Sequence, residues 1–341
     1  MPWVIVSDAS DRLNIYTSTY YTLNTGDGNA NLFQNNGANV SVLKDNIWHH
    51  FAVTFHNSQA KLYIDGLYKG TALTFRDPTN SNTGIVRLAG GYVGGHTYDW
   101  NGMLNDFRIY DTCLSIKEIK EIAKGLVLHY KLDNLLDTDT QVFDVSGFNN
   151  HGTIIGTATY EETTPKYNHC IHMNNRNTSN RVESNASLKL PTTGLTASFW
   201  FKTPTNVAEV LFATAEFCCG LNTAQTLIYT SVDTNVKTFN ATGFKSNGWN
   251  HIVIQRTGTT YAVYLNGLAL TQSSTSSYFI HNISTLYLLN RSYNNNYGAI
   301  ASLSDFRIYT TALSAADIQE LYQTSASIDI DGNIYVREWV E

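Results

Sequence analysis

Apolar and polar residues alternate along most of this chain, and two stretches that show it clearly nearly repeat one another. Residues 46–67 read NIWHHFAVTFHNSQAKLYIDGL and residues 247–268 read NGWNHIVIQRTGTTYAVYLNGL, aligned without a gap at an offset of 201. Trp48 matches Trp249, His50 matches His251, Tyr63 matches Tyr264, and Asp65-Gly66 matches Asn266-Gly267. Each copy has two alternating runs around a polar loop, and the second run closes on Asp-Gly or Asn-Gly. The pattern predicts a β-hairpin in each. Trp48 and Trp249 are expected inside strands, packed into a core. His49 and His50, adjacent on a strand, are expected to point to opposite faces rather than to form a metal pair.

A second block repeats at an offset of 199: LNDFRIYDTCLSIKEIKEI at 104–122 and LSDFRIYTTALSAADIQEL at 303–321. DFRIY predicts a strand in both copies. Ser115 or Ser314 then stands as a helix N-cap, with Glu118 or Asp317 three residues on. The order of elements predicts an all-β chain of two antiparallel β-sandwich domains in tandem, each ending in a short helix. The predicted domains are 1–124 and 125–325, followed by a hairpin or arm over 326–341. In that arm Asp329, Asp331 and Asn333 superficially resemble an EF-hand loop, but the glycine comes too early and an Asp-Gly turn is the preferred reading.

The halves are unequal. Domain two opens with GLVLHYKLD at Gly125 and FDVSGFNNHGTI before SFWFKTP at 198–204, to which the strand holding Trp3 should correspond. Domain one therefore lacks counterparts of 125–190. Either the chain is a piece of a longer protein, or another subunit or segment covers the gap, because an open edge is a pairing hazard.

Composition narrows the partners. The chain has 341 residues, 43% hydrophobic and only 15% charged, with 21 Tyr and 23 Gly. A formal net charge of −6 without a basic run argues against nucleic acid. No run approaches the ~20 apolar residues of a membrane helix, so membrane insertion is not expected. The opening MPWVIVSD lacks the basic and apolar regions of a signal peptide. Cys113, Cys170, Cys218 and Cys219 show no metal-ligand spacing and are expected as free, partly buried thiols.

The phrases GLVLHYKLD, DVSGFNNHGT, SFWFKT, WNHIV with VYLNG, and LSDFRIYTTALS with AADIQELY resemble the laminin-G-like, concanavalin A-like jelly-roll family. The resemblance implies lectin-like sandwiches. Together with TPKYNHC and SIDIDGNIYVREWVE, it is closest in flavour to domains of phage or prophage tail, fibre and baseplate proteins. It implies a non-catalytic module that binds a host-surface glycan on a virion or extracellular surface, with other virion subunits and further copies of itself as partners in a homo-oligomer. The alternatives are a purely structural virion component, and a bacterial adhesin or carbohydrate-binding accessory of a larger enzyme.

Two kinds of site follow, and a third is missing. The resemblance implies a structural Ca²⁺ at Asp144 and Asp305, because hard oxygen ligands suit that ion. The competing reading is an Asx turn at Asp144 and an arginine pair at Asp305. Sugar sites need aromatic faces beside amides and carboxylates. The loop at 90–102 offers Tyr92, His96, Tyr98, Asp99 and Trp100, and the loop at 290–298 offers Tyr293, Asn295 and Tyr297. For hydrolysis, paired carboxylates on one strand face would be needed, and no Glu-x-Asp-x-Glu run occurs.

Overall fold

The computed structural model describes residues 3–7, 13–17, 21–22, 48–56, 59–72, 90–93, 96–99, 103–133, 139–162, 169–174, 180–185, 188, 194–204, 209–214, 217–232, 235–274, 285–290, 299–323, 326–328 and 334–336. The chain divides into two compact units, Met1–Lys124 and Gly125–Glu341. Among the described residues no helix is long and apolar enough to cross a membrane.

In the first unit β1 (Trp3–Ser7), β2 (Leu13–Thr17) and β3 (Tyr21–Thr22) form an antiparallel sheet. A second sheet holds β4 (Phe51–His56), β5 (Gln59–Ile64) and β6 (Leu67–Ala72). β7 (Gly90–Val93) pairs with β8 (His96–Asp99), and α1 (Ile116–Ala123) ends the unit. The expected hairpin is β4–β5, with Phe51 opposite Ile64 and His56 opposite Gln59. Its far end is sealed by Asp65, whose Oδ1 accepts from the His50 N–H at 3.0 Å and whose Oδ2 lies 2.7 Å from His49 Nδ1. Asp65 and Gly66 both have positive φ, and a Cβ on Gly66 would press on Lys120 of α1. Ser115 and Glu118 form the full capping box at the start of α1.

The second unit begins with β9 (Leu126–Tyr130), β10 (Gln141–Val142), β11 (Gly152–Ile155) and β12 (Thr159–Glu162). β13 (His169–Met173), β14 (Arg181–Ser184) and β15 (Gly194–Lys202) follow. β16 (Glu209–Ala213), β17 (Phe217–Leu221), β18 (Leu227–Val232) and β19 (Asn235–Asn240) make a meander. The repeated hairpin is β20 (Asn250–Thr257) with β21 (Thr260–Leu265). Then come β22 (Leu268–Ala269), β23 (Tyr287–Leu288), β24 (Ala301–Tyr309), α2 (Ala315–Gln323) and the small pair β25 (Ala326–Ile328) and β26 (Ile334–Val336).

These strands build two eight-stranded sheets. One runs β10-β11-β14-β23-β16-β17-β18-β19; the other runs β12-β13-β24-β15-β20-β21-β22, with β9 alongside β24. Their inner faces share one core in which Phe199, Phe201, Phe212, Phe217 and Phe306 are fully buried. Each such ring contributes ~1.5–3 kcal/mol by leaving water. β24 is buried at all nine positions because both of its faces are covered. Leu303, Phe306 and Ile308 join the main core, while Tyr309 packs with Leu313, Ile318 and Leu321 around α2. Ser314 and Asp317 cap α2 reciprocally, at 3.1 and 3.2 Å.

Several expectations need correction. Trp48 and Trp249 lie just before β4 and β20, not within them; Trp48 is 62% exposed and Trp249 half-buried. Strand pairing begins later than the alternation suggests because a turn over 245–248, closed from Gly248 N to Lys245 O at 3.1 Å, precedes Trp249. His49 and His50 likewise precede β4. DFRIY is a strand only in the second unit; among the described residues of the first, nothing pairs with 103–110, and β1 pairs with β2. A strand exists only with a neighbour, and β24 has three: β9, β13 and β15.

Candidate functional site

Asp144 and Asp305 converge on one residue of β9. Asp144 Oδ1 accepts from the His129 N–H at 2.8 Å and the Ser146 N–H at 2.9 Å. Its Oδ2 accepts from the Ser146 hydroxyl at 2.8 Å and the Asn150 N–H at 3.0 Å. Asp305 Oδ1 lies 2.8 Å from His129 Nε2 and accepts from Arg307 Nε at 2.9 Å. Arg307 Nη1 in turn reaches the Tyr309 hydroxyl at 3.4 Å. His129, Asp144, Asp305 and Arg307 are all buried. Burial, and secondly the Asp144 charge, pushes the Tyr130 phenol above its ordinary range; it donates to Asn150 O at 2.6 Å.

This donor set does not match a calcium cage. A hard cation needs oxygen lone pairs turned toward it, whereas these carboxylates face N–H and O–H donors and a guanidinium. Among the described residues no group of three or more His, Cys, Asp or Glu is arranged to hold a metal. The contacts are those of an Asx turn and an arginine pair.

The first aromatic loop lies partly on β7–β8. Its register sets Tyr92 opposite Thr97, Gly91 opposite Tyr98, Val93 opposite His96 and Gly90 opposite Asp99. Trp100, Tyr293, Asn295 and Tyr297 lie outside the described residues. The entry to the second loop is anchored, since buried Asn290 donates to Asn180 O at 3.0 Å. Asn180 also clamps the turn after β11, accepting from Thr157 N at 3.1 Å and donating to Thr157 O at 2.8 Å.

A group that sequence reasoning missed follows directly from Asn180. Across the face of the β10–β19 sheet turned away from the main core, ladder partners form one row: Gln141, Thr153, Glu183, Tyr287, Ala213, Cys218, Ser231 and Val236, of which Ala213, Cys218 and Ser231 are buried. Arg181, two residues before Glu183, donates to Glu183 Oε2 through Nε at 2.9 Å and Nη2 at 2.7 Å. Its guanidinium carbon lies 5.7 Å from the centre of the Tyr287 ring. Beside them Thr153 donates to Asn185 Oδ1 at 2.6 Å. Arg181, Glu183, Tyr287 and Thr153 are half-buried and Asn185 is exposed. A ring, a guanidinium, a carboxylate and an amide within one patch are groups that can stack on a sugar ring and pair with its hydroxyls. Glu183 is the only carboxylate in the row, whereas glycoside hydrolysis ordinarily needs two flanking the bond. The other pairing suggestive of catalysis, Ser198 Oγ to His251 Nε2 at 2.9 Å, is fully buried, with the His251 ring against Trp200 and Tyr322.

No curated protein matches the sequence. Among solved structures, a botulinum neurotoxin type C structure, reported with cell entry dependent on two ganglioside molecules, matches with 13% identity and a TM-score of 0.45, over 60% of this chain and 52% of that one. The receptor binding domain of botulinum neurotoxin D matches with 13% identity and a TM-score of 0.44, over 58% and 52%. The chain thus spans about half the length of these neurotoxin structures. Domain 4 of AbnA, a GH43 extracellular arabinanase from Geobacillus stearothermophilus in complex with arabinotriose, matches with 18% identity and a TM-score of 0.44, over 58% of this chain and 98% of that one. The model of the concanavalin A-like lectin/glucanases superfamily matches residues 3–120 and 176–319. With both halves matched, and with the same hairpin and helix in each, the chain belongs to the concanavalin A-like lectin/glucanase superfamily.

Proposed function

We propose that this protein is a non-catalytic carbohydrate-binding module, and that the second unit recognises a glycan at the β11–β14–β23 part of its β10–β19 sheet, on the face turned away from the main core. The Arg181–Glu183–Tyr287 group carries this proposal. Arg181 grips one oxygen of Glu183, Oε2, through both Nε and Nη2, which fixes the carboxylate as a hydrogen-bond acceptor, and Glu183 is the one acid among the described members of its row. Tyr287 supplies the ring face, and the loop over 290–298 follows it in the chain. The setting proposed is a host-surface glycan met by a phage-type virion, as the sequence phrases suggest. The β7–β8 hairpin, with Tyr92, His96, Tyr98 and Asp99, is the corresponding candidate surface of the first unit.

The test is a glycan array run with the intact chain, with Tyr287→Ala and with Arg181→Ala. Specific capture that Tyr287→Ala reduces about tenfold or more, at unchanged melting temperature, is expected. No capture, or capture indifferent to both substitutions, would overturn the assignment.

A further inference from the structure

The two copies of DFRIY share more than sequence. Asp106 and Asp305 both adopt left-handed φ, 54° and 52°. Arg108 grips Asp106 through Nε at 2.9 Å and Nη2 at 2.8 Å and reaches the Tyr110 hydroxyl at 3.2 Å, as Arg307 grips Asp305 and reaches Tyr309. Asp-Arg-Tyr is therefore one local clasp, found in both units with the same Nε contact from arginine to aspartate. Its surroundings differ. In the second unit β9 lies antiparallel to it, pairing Tyr130 with Phe306, His129 with Arg307, Leu128 with Ile308 and Leu126 with Tyr309. His129 then adds its ring to Asp305. Phe306 and Ile308 are buried there, whereas Phe107 is 45% and Ile109 64% exposed. Asp106 retains 46% of its side-chain exposure.

We infer that Asp106–Tyr110 of the first unit is the receiving edge for an added antiparallel strand of β9 chemistry, supplied by a partner polypeptide. That strand reads Leu-x-Leu-His-Tyr, setting its leucines opposite Tyr110 and Ile109, its histidine opposite Arg108 within reach of Asp106, and its tyrosine opposite Phe107. Backbone pairing provides affinity in such strand addition, and the alternate side chains provide register. Asp106 is the selective element, since its carboxylate already holds the position that accepts the histidine in the second unit. Ile109 and Phe107 present the apolar contact.

The experiment uses the full chain and a fluorescent synthetic peptide with the sequence of residues 125–133, read by anisotropy and by hydrogen exchange over 103–112. Saturable binding with new amide protection at 107–110 is expected. Asp106→Ala, Ile109→Asp, and a peptide carrying His129→Ala should each weaken binding by about tenfold or more, through loss of the charge-assisted bond or the apolar contact. Ile109 is exposed, so its variant leaves the fold intact. Absence of saturable binding, or protection confined to β24, would overturn the inference. So would concentration-dependent protection of 107–110 without peptide and lost in Ile109→Asp, which would assign the edge to a second copy.

Discussion

The duplicated clasp allows one substitution to be read in two environments. Asp305→Ala removes the carboxylate that holds Arg307 and His129, all of them buried. Breaking a buried pair from one side costs about 3–5 kcal/mol, because the remaining charge stays out of water. Asp106→Ala removes the same contact to Arg108, but from a half-exposed carboxylate, where such pairs contribute about 0–1 kcal/mol. Alanine in the left-handed region adds about 1–2 kcal/mol of strain in both. That term cancels in the difference, leaving about 2–5 kcal/mol of extra loss at Asp305. For a unit of this size the gap corresponds to about 4–20 °C in Tm. Asp305→Asn, which keeps an acceptor and tolerates left-handed φ, should lose clearly less than alanine. Because the chain has two units, urea or thermal unfolding should be read by hydrogen exchange over β24 and α1 separately. Equal losses at the two aspartates, within about 1 kcal/mol, would refute the claim that burial by β9 sets the strength of the clasp.

Other expectations follow from the same contacts. EDTA should leave the melting temperature of both units unchanged, since N–H donors and Arg307 occupy Asp144 and Asp305; a drop reversed by Ca²⁺ would restore the metal. Burial, opposed next by Asp65, lowers the His50 pKa below its ordinary 6.5. The unfolded chain therefore takes up the proton first, so the first unit holds its stability above 6.5 and loses it as pH falls toward the folded pKa. Exchange of β4–β5 amides at neutral pH and at about 5.5 should show this, and His50→Gln should flatten it. Cys113 is exposed while Cys170, Cys218 and Cys219 are buried, and burial beside Cys218 pushes the Cys219 thiol well up. A disulfide reagent should therefore titrate one thiol in the native chain and four after denaturation; rapid native reaction of more would contradict the packing.

Local chemistry was the legible part of the sequence. The Asp-Gly and Asn-Gly turns, the capping serines Ser115 and Ser314, and the Asx turn at Asp144 all act over a few residues, so their signals sit next to their effects. The repeated hairpin is a short-range pairing for the same reason. DFRIY shows the limit: identical residues make a buried strand at 305–309 and a segment outside any strand at 106–110, because the deciding neighbours are distant in the chain. The Arg181–Glu183–Tyr287 group was invisible on the same grounds. Arg181 and Glu183 look like ordinary alternating polar positions, and only the β14–β23 register brings in Tyr287 from over a hundred residues away. The aromatic loops drew attention because their rings are close in sequence.

The place of β24 in the second unit sets a timetable for making the protein. It is a central strand of its sheet and nearly the last to be synthesised, while its partner β9 is the first. At about 5–20 residues per second, about 10–40 s separate the two on the ribosome. Through that interval β9, β13 and β15 wait with no strand between them, so the sheet can close only when residues 301–309 emerge. A nascent chain halted before that point would expose a slot the width of one strand, lined by the apolar residues that Leu303, Phe306 and Ile308 later cover. Interrupted synthesis thus yields a sticky intermediate rather than a smaller sandwich, and makes this unit a client for chaperones that bind extended apolar segments.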